Sequence, residues 1–248
     1  MSFKSIKMRK LVWLLAVLAF VNSSCRHMWG KKVRGDGNVK TEEHTVSNFK
    51  NVDVSGAIKV YVSQGDLQPV KIEADQNLLQ YIEVVQEGNE VFVSEKSGYN
   101  LEPTGEIRVY VTSPVYNRIK VSGASDIIGQ TKINNSENLE LEATGAGDIN
   151  MEVDAPKLAA TITGSGSINL KGQTKDVELE LSGAGHAHCY DLMAENTTVD
   201  ISGAGSAEVY ASVKLDATVS GAGSVSYKGN ASNVSQHVSG VGSVNKVN

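Results

Sequence analysis

The sequence predicts an all-β fold, a parallel β-helix of about 19–20 residues per coil. Three observations lead there. A Ser/Thr-Gly-Xaa-Gly corner recurs at a nearly fixed interval, polar and apolar residues alternate on both sides of each corner, and the same columns stay apolar from copy to copy.

The first glycine of the corner falls at Gly145, Gly164, Gly183, Gly203, Gly221 and Gly240, preceded by the related Val121-Ser122-Gly123-Ala124-Ser125. The intervals are 22, 19, 19, 20, 18 and 19 residues. Two residues before these glycines stand Val121, Ala143, Ile162, Leu181, Ile201, Val219 and Val238. Four before stand Ile119, Leu141, Ala160, Leu179, Val199, Ala217 and Gln236. Beyond the second glycine, Ile149, Ile168, Ala187, Ala207, Val225 and Val244 form one column, and Met151, Leu170, Cys189, Val209, Tyr227 and Lys246 another. Period-2 alternation makes each arm a strand. Matching chemistry one repeat apart makes the strands stack in register, because each pairs with its copy above and below. The polar entries Gln236 and Lys246 suit an exposed last coil. Residues 118–248 are therefore read as the regular helix.

Residues 38–117 are less regular. Strands are expected at Phe49 to Val54, Ile58 to Ser63, Val70 to Glu73, Tyr81 to Val85, Glu90 to Val93 and Glu106 to Thr112, with a turn at Gln86-Glu87-Gly88-Asn89 and a helical turn within Gln76 to Gln80. Val54-Ser55-Gly56-Ala57 is an early copy of the corner, so this region reads as irregular coils of the same solenoid, with a separate β cap as the alternative.

Ahead of it, residues 1–24 carry Lys4, Lys7, Arg9 and Lys10, then the apolar run Leu11 to Val21, then Asn22-Ser23-Ser24-Cys25. The run is too short to span a bilayer and reads as a signal peptide. Small residues before Cys25 give it the form of a lipoprotein cleavage site, with Cys25 lipidated and residues 25–37 a flexible tether. Removing the leader leaves 19 basic against 28 acidic residues, a balance with no footprint for nucleic acid. Cys189 is the one other cysteine, so an acylated Cys25 leaves no disulfide and the core must hold the fold.

Gly37-Asn38-Val39, Val46 through Phe49, Val54 through Val62, Val70 through Asp75 with Leu78-Leu79, and the Ser-Gly-Ala-Gly series together resemble the putative auto-transporter adhesin head domain of Bacteroidetes envelope lipoproteins. That resemblance spans about Gly37 to Val244. It implies a right-handed β-helix, an outer-membrane lipoprotein of the cell envelope with an adhesin-like role, and no established enzyme activity.

Four features could carry chemistry. His186, His188 and Cys189 combine metal-ligating types, but Cys189 belongs to an inward column and the histidines to outward ones, so a core thiol with two solvated histidines is favoured over a His186–His188 metal site. Gly145-Ala146-Gly147-Asp148 resembles a calcium β-roll turn, yet its aspartate is not repeated in the coils that follow. No Gly-Xaa-Gly corner runs on to a third glycine and a helix, as a phosphate cradle requires. Tyr190 and Tyr210, each five residues past a second glycine, could form an aromatic platform for a sugar ring, against a simple like-with-like ladder.

No cofactor is expected. The favoured function is a non-catalytic, adhesin-like binding or structural rod that meets the membrane through its lipid and contacts a glycan, a surface protein or another copy of itself. The alternative is a glycan-active lyase or hydrolase using Glu83, Glu87 or Glu102. No arginine follows Arg118, and the outward columns at the corners are mostly Ser, Thr, Ala and Asn, which argues against it.

Overall fold

The computed structural model describes residues 30–247. The leader and Cys25 lie outside the described residues. The fold is a parallel β-solenoid, with one short 3-10 turn at Leu79–Tyr81 among its strands.

Corner glycines stack directly. Gly56, Gly123, Gly145, Gly164, Gly183, Gly203, Gly221 and Gly240 are successive partners in parallel pairings. At about 4.8 Å per strand these eight layers span roughly 34 Å. From Gly123 on, the residue after each glycine donates its N–H to the glycine carbonyl one coil below, as in Ala184 to Gly164 and Ala204 to Gly183, both 2.8 Å. Gly183 shows why the position excludes side chains. Its φ is 115°, and a Cβ there would stand 2.6 Å from the Gly164 oxygen.

Burial follows the columns. Ile119, Leu141, Ala160, Leu179, Val199 and Ala217 are 0–2% exposed, and Ile149, Ile168, Ala187, Ala207 and Val225 are 0–1% exposed. One continuous apolar core thus runs from Phe49 to Tyr227. The coils turn a second time where two or three outward residues break the alternation, as at Pro156-Lys157 between buried Ala155 and Leu158. In the last coil the columns open. Val238 is 41% exposed, and Gln236 and Lys246 are exposed as well.

The N-terminal region joins the same stack, but out of chain order. Asn51–Gly56 pairs in parallel with Arg118–Gly123 on one side and with Glu90–Glu95 on the other. Ile58–Gln64 lies likewise between Asp126–Gly129 and Ile107–Ser113. The first coil in sequence is therefore the second layer in space. Antiparallel strands finish this end: Val70–Asp75 on Ile107–Ser113, Val39–His44 on Val70–Asp75, and Ile82–Glu87 hairpinned to Glu90–Glu95. Both alternatives for this region are thus combined, coils of the solenoid and a β cap.

The tether expected at residues 25–37 is corrected over its described residues. Lys31–Arg34 forms a strand parallel to Tyr99–Glu102. Behind it Asp75, 2% exposed, accepts hydrogen bonds from the Gly37 N–H (2.8 Å), the Thr104 N–H (2.8 Å) and the Thr104 hydroxyl (2.7 Å). Burial works against ionisation of this carboxyl, but the three donors outweigh it and hold its pKa below the usual value. The clamp ties three chain segments together, and no local pattern in the sequence announces it.

Candidate functional site

The strands that follow the corners, with Ile107–Ser113 stacked on the first of them, turn one outward column toward solvent: Tyr110, Tyr61, Ile128, Asn150, Asn169, His188, Glu208, Ser226 and Asn245, in spatial order. The histidines and tyrosines nominated from the sequence lie in this column or beside it, and the structure treats the two pairs differently.

His186 and His188 lie on the same face with near-parallel rings, centroids 6.3 Å apart. Each is tied to the next coil through Nδ1, His186 to the Ser206 hydroxyl and His188 to the Glu208 carboxylate, both at 2.8 Å. Parallel rings at that separation do not converge on one point, and among the described residues no group of three or more His, Cys, Asp or Glu is placed to hold a metal ion. Cys189 is 2% exposed and faces the core, where burial pushes its thiol pKa up to about 12. Asp148 serves the corner, accepting the Ser167 N–H of the next coil at 2.8 Å, as Asp126 accepts that of Asp148 at 3.1 Å.

Tyr190 and Tyr210 share a sequence offset but not a structural position. The coil containing Tyr190 has one extra residue. It spends it on a turn at Tyr190-Asp191, so that Leu192, nine residues after Gly183, pairs with Gly172, eight after Gly164. Tyr210 stays in its strand, paired with Lys228. Among the described residues the tyrosine ring contacts are Phe49 with Tyr116, Tyr61 with Tyr110 and Tyr81 with Tyr99; Tyr190 with Tyr210 is not one. The Tyr190 ring is instead covered by the Lys228 ammonium, 4.5 Å from its centroid.

That turn separates two open grooves. One, of about 470 Å³, is lined by Gln130, Asn150, Asn169, Lys171, His188 and Asp191. The other, of about 450 Å³, runs along the second bend past Pro156, Gln173, Lys175, Met193, Glu195 and Tyr210. Met193 is 53% exposed there, an apolar surface beside the phenol. Most charges around them are already matched. Lys132 holds Asp154 at 2.9 Å and lowers its pKa, and Lys171 meets Glu152 at 3.2 Å.

The stacked phenols that sequence reasoning missed are Tyr61 and Tyr110, 5.0 Å apart and 15° from parallel. They were detectable, since Ile58–Gln64 reads IKVYVSQ and Ile107–Ser113 reads IRVYVTS, two near copies that pair residue for residue. Lys71 lies over the Tyr110 ring at 4.2 Å and Ile128 is the next residue above Tyr61, so this pair is a ladder built into the wall.

The carboxylates considered for catalysis do not converge. Glu83 and Glu87 are exposed on the strand Ile82–Glu87, whereas Glu102 binds Lys32 at 2.7 Å, which lowers its pKa. On the same sheet face as Glu83 and Glu87, where Glu87 pairs with Glu90, Arg118 contacts Glu90 and Lys120 lies 3.8 Å from Asp53 and 3.6 Å from Glu142. Burial raises the pKa of Asp53 despite the lysine, the signature of a partly buried ion-pair network.

Among the described residues no helix is long and apolar enough to cross a membrane. No curated protein matches the chain by sequence. Solved structures do resemble it. A putative adhesin from Bacteroides fragilis superposes with a TM-score of 0.81 at 23% identity, covering 87% of this chain and all of the other. A putative lipid binding protein and a putative adhesin, both from Parabacteroides distasonis, each give 0.68, at 24% and 25% identity, covering 88% of this chain and all of theirs. The model of the putative auto-transporter adhesin, head GIN domain, matches residues 48–231, and the chain belongs to that family.

Proposed function

We propose that this chain is a non-catalytic, outer-membrane-anchored lipoprotein, held through Cys25, that binds an envelope or surface glycan along the face following the glycine corners. The observation that carries this is the pair of grooves on either side of the Tyr190-Asp191 turn. Each is open, elongated across several coils and mixed in character. The Tyr210 groove offers an aromatic and two apolar surfaces to the C–H face of a sugar, with Lys175, Glu195 and Gln173 along the same groove to meet its hydroxyls. Asp154 and Glu152 are already tied to Lys132 and Lys171, which suits hydrogen bonding to a neutral chain better than proton transfer, and rigid coils let several weak contacts add.

The test is binding of purified protein to an array of bacterial and host glycans, followed by titration of the best ligand. Tyr210→Ala is expected to weaken binding at least ten-fold, the loss of roughly 1.4 kcal/mol from one stacking contact. Cleavage of the bound glycan would overturn the non-catalytic reading, and binding indifferent to Tyr210 would overturn the site. Protease treatment of intact cells tests the surface position: cleavage only after the outer membrane is opened rules out contact with partners outside the cell.

A further inference from the structure

The two ends of the stack are finished differently. At the Gly56 end antiparallel strands lie outside the parallel layers, and Glu95 supplies the acceptor that no lower coil provides, taking the Ala57 N–H at 2.9 Å. The outermost strands there, Val39–His44 and Ile82–Glu87, carry Lys40, Glu42, Glu43 and His44 on the one and Glu83 and Glu87 on the other, side chains that discourage a further strand from pairing.

At the other end, Asn233–Gly240 pairs only with Lys214–Gly221, and among the described residues nothing covers its far edge. All eight of its residues are exposed. Val234 and Val238 stand 37% and 41% exposed in the columns that Leu215 and Val219, one coil below, fill at 0%. Among the described residues the core is left open at this tip, where capping elements ordinarily close a solenoid.

The strand's own pattern points to what covers it. Its inward residues are symmetric about Gln236, with Val234 and Val238 two positions to either side. Laid antiparallel on a second copy about a two-fold axis through Gln236, Val234 of each copy faces Val238 of the other and the two Gln236 amides face one another. Amides are self-complementary donors and acceptors, and Ser235 then opposes His237 without like charges meeting. Charge agrees. The chain is acidic overall, so two copies repel over most of their surface, but no Asp or Glu follows Asp216. The tip is therefore where a pair of copies can approach most closely.

We propose that Asn233–Gly240 is a homotypic docking edge through which two rods join tip to tip by antiparallel strand pairing centred on Gln236. Lys246, exposed in an inward column of Ser243–Lys246, blunts the neighbouring edge and confines pairing to the one strand. A two-fold contact uses the same edge on both copies, so the assembly closes at two. An eight-residue strand contact falls in the small interface class, which sets a weak dimer, seen at high micromolar concentration or where rods are crowded on a surface.

Sedimentation velocity on the purified protein, from low micromolar to near-millimolar concentration, should show a monomer passing to a dimer. Val238→Asp places a carboxylate opposite Val234 and is expected to weaken the dimer at least ten-fold without lowering the thermal midpoint, since Val238 is already exposed. Gln236→Cys, with Cys25 acylated or replaced by serine, should form a disulfide-linked dimer on mild oxidation, while Asn245→Cys at the same tip should not. Cys189 is buried and does not compete. A single-chain mass at every concentration, crosslinking of Gln236→Cys no faster than of Asn245→Cys, or growth beyond two chains would each overturn the proposal. If Val238→Asp proves unstable, the cysteine comparison decides.

Discussion

Replacing Gly183 with alanine tests the corner directly. Two costs add. The φ of 115° lies in a region that alanine enters at about 2 kcal/mol. The new Cβ would stand 2.6 Å from the Gly164 oxygen, closer than real Cβ atoms come, so the two coils must separate by about half an ångström. That strains the 2.8 Å bond from Ala184 to Gly164, worth about 1 kcal/mol, and opens the packing of Leu181 on its neighbours by a similar amount. The expected loss is about 4 kcal/mol. Gly88 provides the control, because its φ is also positive at 60° but nothing lies within 4 Å of its would-be Cβ. Gly88→Ala should cost only the dihedral, about 1 kcal/mol. Urea unfolding at 25 °C, with the slope compared to exclude a change in cooperativity, measures both. If the two variants lie within 1 kcal/mol of each other, close approach between coils is not what demands glycine at the corner, and the reasoning fails.

Further outcomes are expected at three residues. Asp75→Ala should lose about 3 kcal/mol by stranding the Gly37 and Thr104 donors. Because the folded-state pKa of Asp75 is lowered, its contribution is complete above the unfolded carboxyl value near 4 and disappears as pH falls through the folded value, so Asp75→Asn should flatten the acid limb of a stability–pH curve. Glu95→Ala should cost about 1 kcal/mol in thermal or urea unfolding by removing the acceptor for Ala57, and Glu95→Gln should restore most of it. Cys189, with its thiol pKa near 12, should resist a thiol reagent at pH 8 in the folded protein and react at the rate of unfolding; prompt labelling would place it outside the core.

The regular coils were legible because each repeats its neighbour's contacts, so Ile162, Leu181 and Ile201 announce one another 19 or 20 residues apart. What escaped was whatever a single copy decides. Lys31–Arg34 is four residues long and mostly polar, and it becomes a strand only because Tyr99–Glu102 lies beside it. Tyr190 carried the right offset, yet one inserted residue moved it out of the column, something counting from the glycine cannot reveal. The Tyr61–Tyr110 pair is written in two near-identical heptapeptides, but Ile107–Ser113 has no corner glycine before it and so stands outside the glycine-marked repeat.

The displaced first coil also limits how such a chain can change its length. Coils on the Gly240 side are added or removed as whole units, since each touches only the one before and the one after. Near the start no such trimming is available. Deleting Asn51–Gln64 would not shorten the rod by a layer but would tear out its second storey, leaving Glu90–Glu95 and Arg118–Gly123 to find each other across a gap. Variation in rod height among relatives should therefore be confined to the tip, while the base is inherited as an indivisible foundation.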